Sequence, residues 1–249
     1  MKRQPASEGR LVAGLQPVRE AIRVHGAALS RVAVDSRELP RLDAVARFAR
    51  DRGVERIDRL PRRELERLSG GVSHQGVLAW APALVLAEPA AVLDDPALLA
   101  LALDGIQDPQ NFGALIRSAV GLAGAPVLWG EHASAPLGTA TFRASAGAIE
   151  HATLCRVRSL AGTLADATGR GAQVVGLDPQ APVRLCDLDL TGPTLLVIGS
   201  EHEGLGRAVR RACTAHAQLV PRGPIDSLNA SVAAGIALYE AVTQRLRAR

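Results

Sequence analysis

Three short stretches carry residue types that could do chemistry. The first is DPQNFGALIRSA at 108–119, where Asp, Asn and a single Arg stand among small and apolar residues. The second, IGSEHEGLG at 198–206, sets two glutamates and a histidine in a glycine-rich loop. The third, PRGPIDSLNASVA at 221–233, places Ser227 and Asn229 behind a Gly-Pro turn. Arg117 offers a planar fork that pairs two oxygens of a phosphate at once. On a helix its neighbours at three and four residues are Gly113, Ala114, Val120 and Gly121, a thin face that a bulky group can approach closely. Taken alone, the same residue reads more simply as a solvated surface arginine.

The acidic loop fits neither common nucleotide pattern. Gly199-x-x-x-x-Gly204 lacks the Lys-Ser/Thr that completes a P-loop, and Gly204-Leu-Gly206 lacks the third glycine of a dinucleotide fingerprint. Its charge repels phosphate and suits a cationic or zwitterionic ligand, or the capping of backbone N–H groups; Glu201 could do either. His202 is a solvated side chain or a base. Asp108-Pro109 forces a turn, Asn111 reads as the N-cap of the helix behind it, and Ser227 or Asn229 as the cap of the last helix.

The elements that must position these residues follow from hydrophobic period. From Leu11 to Ala81, GLQPVREAIRVHG is a helix with Leu15, Val18 and Ile22 on one face and RVAVDS a strand. LPRLDAVARFARDRG is a helix with Leu42, Val45, Ala46 and Phe48 inward, ERIDRL a strand, PRRELERL a helix opened by Pro61, and HQGVLAWA a strand. Residues 1–10 read as a disordered tail, 11–81 as a small α/β domain and 82–97 as a proline-punctuated linker. In 98–249 the strands are LLALALDG, APVLWG, ATLCRV, AQVVGLD, TLLVIGS and AQLVP. Helices follow Asn111, cover TATFRASAGAIE, LAGTLADATGRG and GLGRAVRRAC, and run from about Asn229 to the C-terminus. Near-continuous apolar strands sheathed by helices predict an open α/β sheet, with ligands bound at the carboxyl ends of its strands.

Composition narrows the classes. The 249 residues are 47% hydrophobic and only 2% aromatic, so base stacking on aromatic platforms is not the main means of binding. Residues 1–70 hold 16 Lys and Arg against 10 Asp and Glu, a net of +6, while the remainder is near neutral. Such a front is either a polyanion-binding module or a solvated Arg-rich surface. Cys155, Cys186 and Cys213 are widely spaced, which points away from a disulfide framework or a metal site and toward a reducing cytoplasm. The basic start MKRQPASEGR has no apolar run behind it, and no stretch is long and apolar enough to span a membrane.

In this order and spacing the loops resemble the motifs of the SpoU (TrmH) family of RNA ribose 2′-O-methyltransferases. The matches are Asp108-Pro-x-Asn111-x-Gly113…Arg117-Ser-Ala, Ile198-Gly199-Ser-Glu201-x-Glu-Gly204 and Val220-Pro221…Ser227-Leu228-Asn229-x-Ser231-Val-Ala233. Arg143-Ala-Ser145-Ala-Gly147-Ala148 looks like the family's intermediate segment. The likeness spans roughly 98–245. The front, with Gly14-x-x-x-Val18 and Ser73-His74-Gln75-Gly76, is similar to the ribosomal-protein-like RNA-binding domain of the RlmB-like branch, which acts on large-subunit rRNA. Val220 in place of Ile, the insert Arg222–Asp226 and Ala230 in place of Val depart from the usual pattern and put the fine shape of the cofactor pocket in question.

The resemblance implies a C-terminal parallel-sheet (SPOUT) methyltransferase domain closed as a deep trefoil knot. It implies S-adenosylmethionine held by Gly199, Val220 and Leu228, a homodimer formed near the last helix, and no metal. It implies methylation of a ribose 2′-hydroxyl, at a guanosine of 23S rRNA; tRNA or a resistance-type rRNA site is the alternative target, and a non-catalytic ribosome-assembly factor the alternative of another class. The catalytic set it carries over is Asn111, Arg117, Glu201, Ser227 and Asn229. A free guanidinium does not deprotonate near neutral pH. Arg117 is therefore expected to clamp the phosphate beside the target ribose, with that phosphate or a water receiving the proton. Asn111 and Glu201 are expected to fix Arg117 and the loops, and Ser227 and Asn229 to orient the ribose.

Overall fold

The computed structural model describes residues 9–132, 134–201, 203–219 and 228–248. The chain forms two units, one of residues up to Leu84 with Leu137–His151, the other of Val85–Pro136 with the chain from Ala152 onward. The first is built on β1 (Arg10–Ala13), α1 (Leu15–His25), β2 (Arg31–Asp35), α2 (Pro40–Asp51), β3 (Ile57–Leu60), α3 (Arg62–Ser69) and β4 (Val77–Ala81). Its sheet runs β1-β4-β2-β3, parallel only between β2 and β3. The twofold period of a strand sorts the side chains. Val12, Val32, Val34, Val77 and Ala79 meet Val18 and Ile22 of α1 and Leu42 and Val45 of α2. Ala13, Ala33, Leu78 and Trp80 face the other way, against Leu65 of α3. Strand β1 is absent from the sequence reading, because four residues beside a polar tail show no period of their own; pairing from Arg10↔Ala81 to Ala13↔Leu78 defines it. Phe48 is only half-buried beneath Arg52, and Ala49 takes the inward place.

The second unit holds α4 (Pro89–Leu93), β5 (Leu99–Leu103), α5 (Pro109–Ala123), β6 (Val127–Gly130), β7 (Leu154–Val157), α7 (Leu160–Gly169), β8 (Gln173–Leu177), β9 (Val183–Arg184), β10 (Thr194–Ile198), α8 (Arg207–Ala212), β11 (Ala215–Gln218) and α9 (Ala230–Arg247); α6 (Thr139–Ala144) lies in the first unit. Its seven strands, in the order β7-β6-β5-β10-β8-β11-β9, are all parallel. Leu164 of α7 and Val209 of α8 cover one face over Ala100, Ala102, Leu195 and Val197. α5 packs on β5 and α9, and α9 on β10. Arg245 ties the end of α9 to the chain before β5 and β10, donating to the carbonyls of Ala97 at 2.7 Å and Leu98 at 2.8 Å. The expected linker 82–97 is not free chain: Pro89 opens a helix, and Val92 and Leu93 are buried in this unit's core. The expected strand AQLVP starts two residues earlier, as β11, and its partner β9 is too short and exposed to show a period. The threading that the resemblance implies turns on 220–229, of which 220–227 lie outside the described residues.

The stretch TATFRASAGAIE is not one helix. α6 stops at Ala144, and Ala146 at φ +51° and Gly147 at φ +90° turn the chain. A β-carbon on Gly147 would lie 2.8 Å from Glu20 Cβ and Cγ, so α1 can approach only because that carbon is missing. Two buried carboxylates hold the segment to the front unit rather than to the sheet that flanks it in sequence. Glu150 accepts Arg10 Nη1 at 2.9 Å and Nη2 at 2.5 Å, with His25 Nε2 at 2.9 Å. Glu20 accepts from Gln16 at 2.8 Å and Arg23 at 2.6 Å, with His151 Nε2 at 2.9 Å. Burial pushes the Glu20 carboxyl up, but the hydrogen bonds of His151 and Arg23 outweigh it and hold the group below its ordinary value. A lowered carboxylate stabilises the fold above the unfolded value of 4.5 and loses that contribution as pH falls through the lowered one. Glu20→Gln is therefore less stable than the parent at pH 7. The gap between the two melting temperatures narrows as the pH falls below 4.5; a gap that stays constant there counts against the assignment.

Candidate active site

An all-parallel sheet brings the carboxyl ends of its strands to one edge, and the crevice opens where crossovers diverge to either side. Here that point lies between β5 and β10, whose last residues Leu103 and Ile198 stand in register. The loop after β10 closes on itself. Ser200 and Gly204 exchange backbone hydrogen bonds, each at 3.0 Å, and Glu203 N–H donates to Ser200 Oγ at 3.1 Å. Gly199 lies so close that a β-carbon there would sit 2.2 Å from the Gly204 carbonyl carbon; no other residue fits this loop.

At the tip, Glu201 joins the starts of α5 and α9. Its Oε1 accepts from Asn111 Nδ2 at 2.5 Å and from Asn229 Nδ2 at 2.8 Å. Asn229 Nδ2 also donates to Asn111 Oδ1 at 3.0 Å. The orientations are fixed from behind, because Asn229 Oδ1 caps α9, accepting from Ser231 N–H at 2.9 Å and Ser231 Oγ at 2.6 Å. The N-cap of α5 is Asp108, not Asn111: its carboxylate accepts from Gln110 and Asn111 N–H, each at 3.1 Å. With Pro109 at the first helical position, Asp108 takes the capping geometry, and the Asn111 side chain is left to face Glu201. The signal was present in the sequence as Asp-Pro.

Arg117 stands apart. It is exposed, and among the described residues no hydrogen bond or ion pair engages its guanidinium. Six residues beyond Asn111 on one helix, it lies about 9 Å along the axis and about 120° around from it. The expectation that Asn111 and Glu201 brace Arg117 is therefore corrected: within this chain they brace each other and Asn229. Of the expected thin face, Gly121 is open, since a β-carbon there meets nothing within 4 Å, whereas Gly113 is buried. Leu228 is exposed at 41% beside the start of α9. Val220, Ser227 and His202 lie outside the described residues, and Ser145 and Gly147 fall in the first unit. Among the described residues no cluster of His, Cys, Asp and Glu could hold a metal ion, and no helix is long and apolar enough to cross a membrane.

Residues 98–239 match the SpoU rRNA Methylase family, and residues 11–84 match the domain described as RNA 2′-O ribose methyltransferase substrate binding. An uncharacterized tRNA/rRNA methyltransferase of Mycolicibacterium smegmatis is 39% identical over 96% of this chain and 78% of its own. The SpoU methyltransferase AviRb of Streptomyces viridochromogenes superposes with a TM-score of 0.79 at 27% identity, covering 98% of this chain and 92% of its own. Its complex with the cofactor AdoMet gives 0.76 at 27%, over 95% and 90%. The TrmH/SpoU tRNA modifying enzyme of A. aeolicus gives 0.54 at 26%, over 64% of this chain and 82% of its own.

The shared acceptor Glu201 predicts a measurable loosening. Glu201→Ala leaves both amides without it and raises amide hydrogen exchange in 199–206 and the first turn of α9. Because the cluster is exposed, the loss is about 1 kcal/mol, or about 2–4 °C in melting temperature for a protein of this size. Unchanged exchange in both segments would contradict the bracing role.

Proposed function

This chain belongs to the SpoU rRNA Methylase family, and from that premise we propose that it methylates a ribose 2′-hydroxyl of large-subunit (23S) rRNA, at a guanosine, with S-adenosylmethionine as methyl donor. The closure of the three motif loops through Glu201, Asn111 and Asn229 carries this reading: it gathers side chains 28 to 118 positions apart at the sheet edge where such folds bind ligands. The ribosomal target is favoured over tRNA because the front domain is present, while the likeness to the tRNA modifying enzyme extends over 64% of this chain. The proposed setting is the cytoplasm, where rRNA is matured.

The residues present fit the cofactor. Glu201 and Glu203 are exposed on the loop after β10, with the apolar Leu228 also exposed, a combination suited to a ligand that joins cationic groups to an apolar ring. Gly199, Leu228 and Val220 are the proposed contacts. S-adenosylmethionine supplies a methyl group on a sulfonium that leaves as a neutral thioether. The work left to the chain is to hold the ribose in line and to let its hydroxyl proton leave. Glu201 Oε1 already accepts two amides, so it serves as a brace. Ser227 orients the ribose, with Asn229 behind it fixing the loop through its bonds to Glu201, Asn111 and Ser231, and Arg117 holds the adjacent phosphate; that phosphate or a water takes the proton.

No described hydrogen bond or ion pair joins Arg117 to the Glu201 cluster of its own chain, and we assign it to the active site of a second copy in a homodimer. Val232, Ile236 and Tyr239 of α9 lie at helical spacing on one side and are 50%, 44% and 63% exposed, and Leu122 of α5 is 40% exposed. α5 and α9 pack together, which makes this stripe and Arg117 neighbours on the surface offered to the partner.

The decisive experiment incubates the protein with methyl-labelled S-adenosylmethionine and undermodified 23S rRNA or tRNA, then maps the label; a label confined to tRNA overturns the ribosomal reading. Arg117→Lys keeps the charge but loses the fork, so turnover falls at least tenfold with cofactor affinity unchanged; near-parental turnover sinks the clamp. Ile236→Glu with Tyr239→Glu gives a monomer by light scattering and abolishes methylation. A monomeric parent, or a fully active monomeric variant, removes the dimer from the mechanism.

A further inference from the structure

Loop 199–206 is closed on itself, because Gly199 packs on Gly204 and Ser200 bonds Gly204 in both directions. Its upstream end is fixed by β10. Its downstream end is Gly206, which precedes α8, a helix of 6 residues. Asp104 meets both ends. Its N–H donates to Ile198 O at 2.8 Å, carrying the β5–β10 register one step beyond the strands. Its Oδ2 accepts from Gly206 N–H at 2.7 Å. The fit is close, since a β-carbon on Gly206 would come within 3.2 Å of that oxygen. No motif role was given to Asp104 in the sequence.

We propose that Asp104 is a positioning residue for the cofactor loop, holding Gly199–Gly206 at the place where its backbone meets S-adenosylmethionine and where Glu201 reaches Asn111 and Asn229. The proposal rests on the methyltransferase reading above. Without the Asp104 carboxylate the loop keeps its internal bonds but pivots on its β10 end. A displacement of about 1 Å is enough to spoil contacts that depend on fixed backbone. The half-buried side chain touches neither α5 nor α9 in any described hydrogen bond, so the effect is confined to the cofactor and to the chemistry that depends on the loop.

Two substitutions test this. Asp104→Ala removes the acceptor, whereas Asp104→Asn keeps an oxygen that can accept from Gly206. Calorimetry with S-adenosylmethionine and filter binding with a 23S rRNA transcript give the two affinities, and thermal melting reports the fold. For Asp104→Ala we expect cofactor binding weakened about tenfold, as loss of one hydrogen bond to a charged acceptor implies. RNA affinity stays within about twofold of the parent, and Asp104→Asn restores cofactor binding. The proposal is overturned by Asp104→Ala that binds cofactor like the parent, by Asp104→Asn that falls as far as Ala, or by an equal loss of RNA affinity, which makes Asp104 a residue of the fold. Parent protein that binds the RNA but no S-adenosylmethionine overturns the methyltransferase reading and this one with it.

Discussion

One carboxylate oxygen organises the carboxyl edge of the parallel sheet. Glu201 Oε1 accepts two amide donors that arrive from the first turns of two different helices. An amide aimed at a carboxylate holds its place only if the rest of it is fixed, and here each partner is. Asn229 spends its own oxygen on the start of α9, and Asn111 is released from capping because Asp108 performs that task. The glycine at 199 is equally demanded: the loop that delivers Glu201 folds back so tightly that a β-carbon would overlap its own backbone. The site is thus built from backbone closure first and side-chain bonds second. The bonds, being exposed, are individually weak, and the rigid edge of a parallel sheet makes them sufficient.

The strands and most helices were legible in the sequence for a plain reason. LALAL at β5 and TLLVI at β10 are buried on both faces, so all but Thr194 are apolar, and α1 and α2 repeat their apolar residues at helical spacing. The places where reading failed are places where local pattern has no say. Four residues of β1 become a strand because β4 is there to pair with them. The run from Thr139 to Glu150 has helical composition, yet the close approach of α1 to Gly147 breaks it. The motif around Ser145 and Gly147 sits among residues of the second unit in sequence and packs with the first, because Arg10, His25 and His151 find the carboxylates Glu150 and Glu20 across more than a hundred positions.

The site divides along the same line. Which residues to expect at the site came from the order of three loops and their likeness to a family. How they meet was not, since hydrogen bonds spanning 90 and 118 positions leave no trace in spacing. The clearest case is Arg117. Sequence proximity placed it with Asn111, six residues away on one helix, and helical geometry separates them. The sequence also hides Asp104, an aspartate after a strand like many others until Gly206 is seen beside it.

These placements bear on where the hydroxyl proton goes under the proposed reaction. Asn111 and Asn229 carry neutral amides, and both donate to Glu201 Oε1. A guanidinium does not give up its proton near neutral pH. We propose that the acceptor comes with the substrate, as a phosphate oxygen of the RNA or water ordered beside it. An unpaired guanidinium on a face of small residues is the arrangement that serves this end. In the proposed reaction it draws the phosphate to the ribose without taking the proton itself, and among the described residues no carboxylate of its own chain pairs with it.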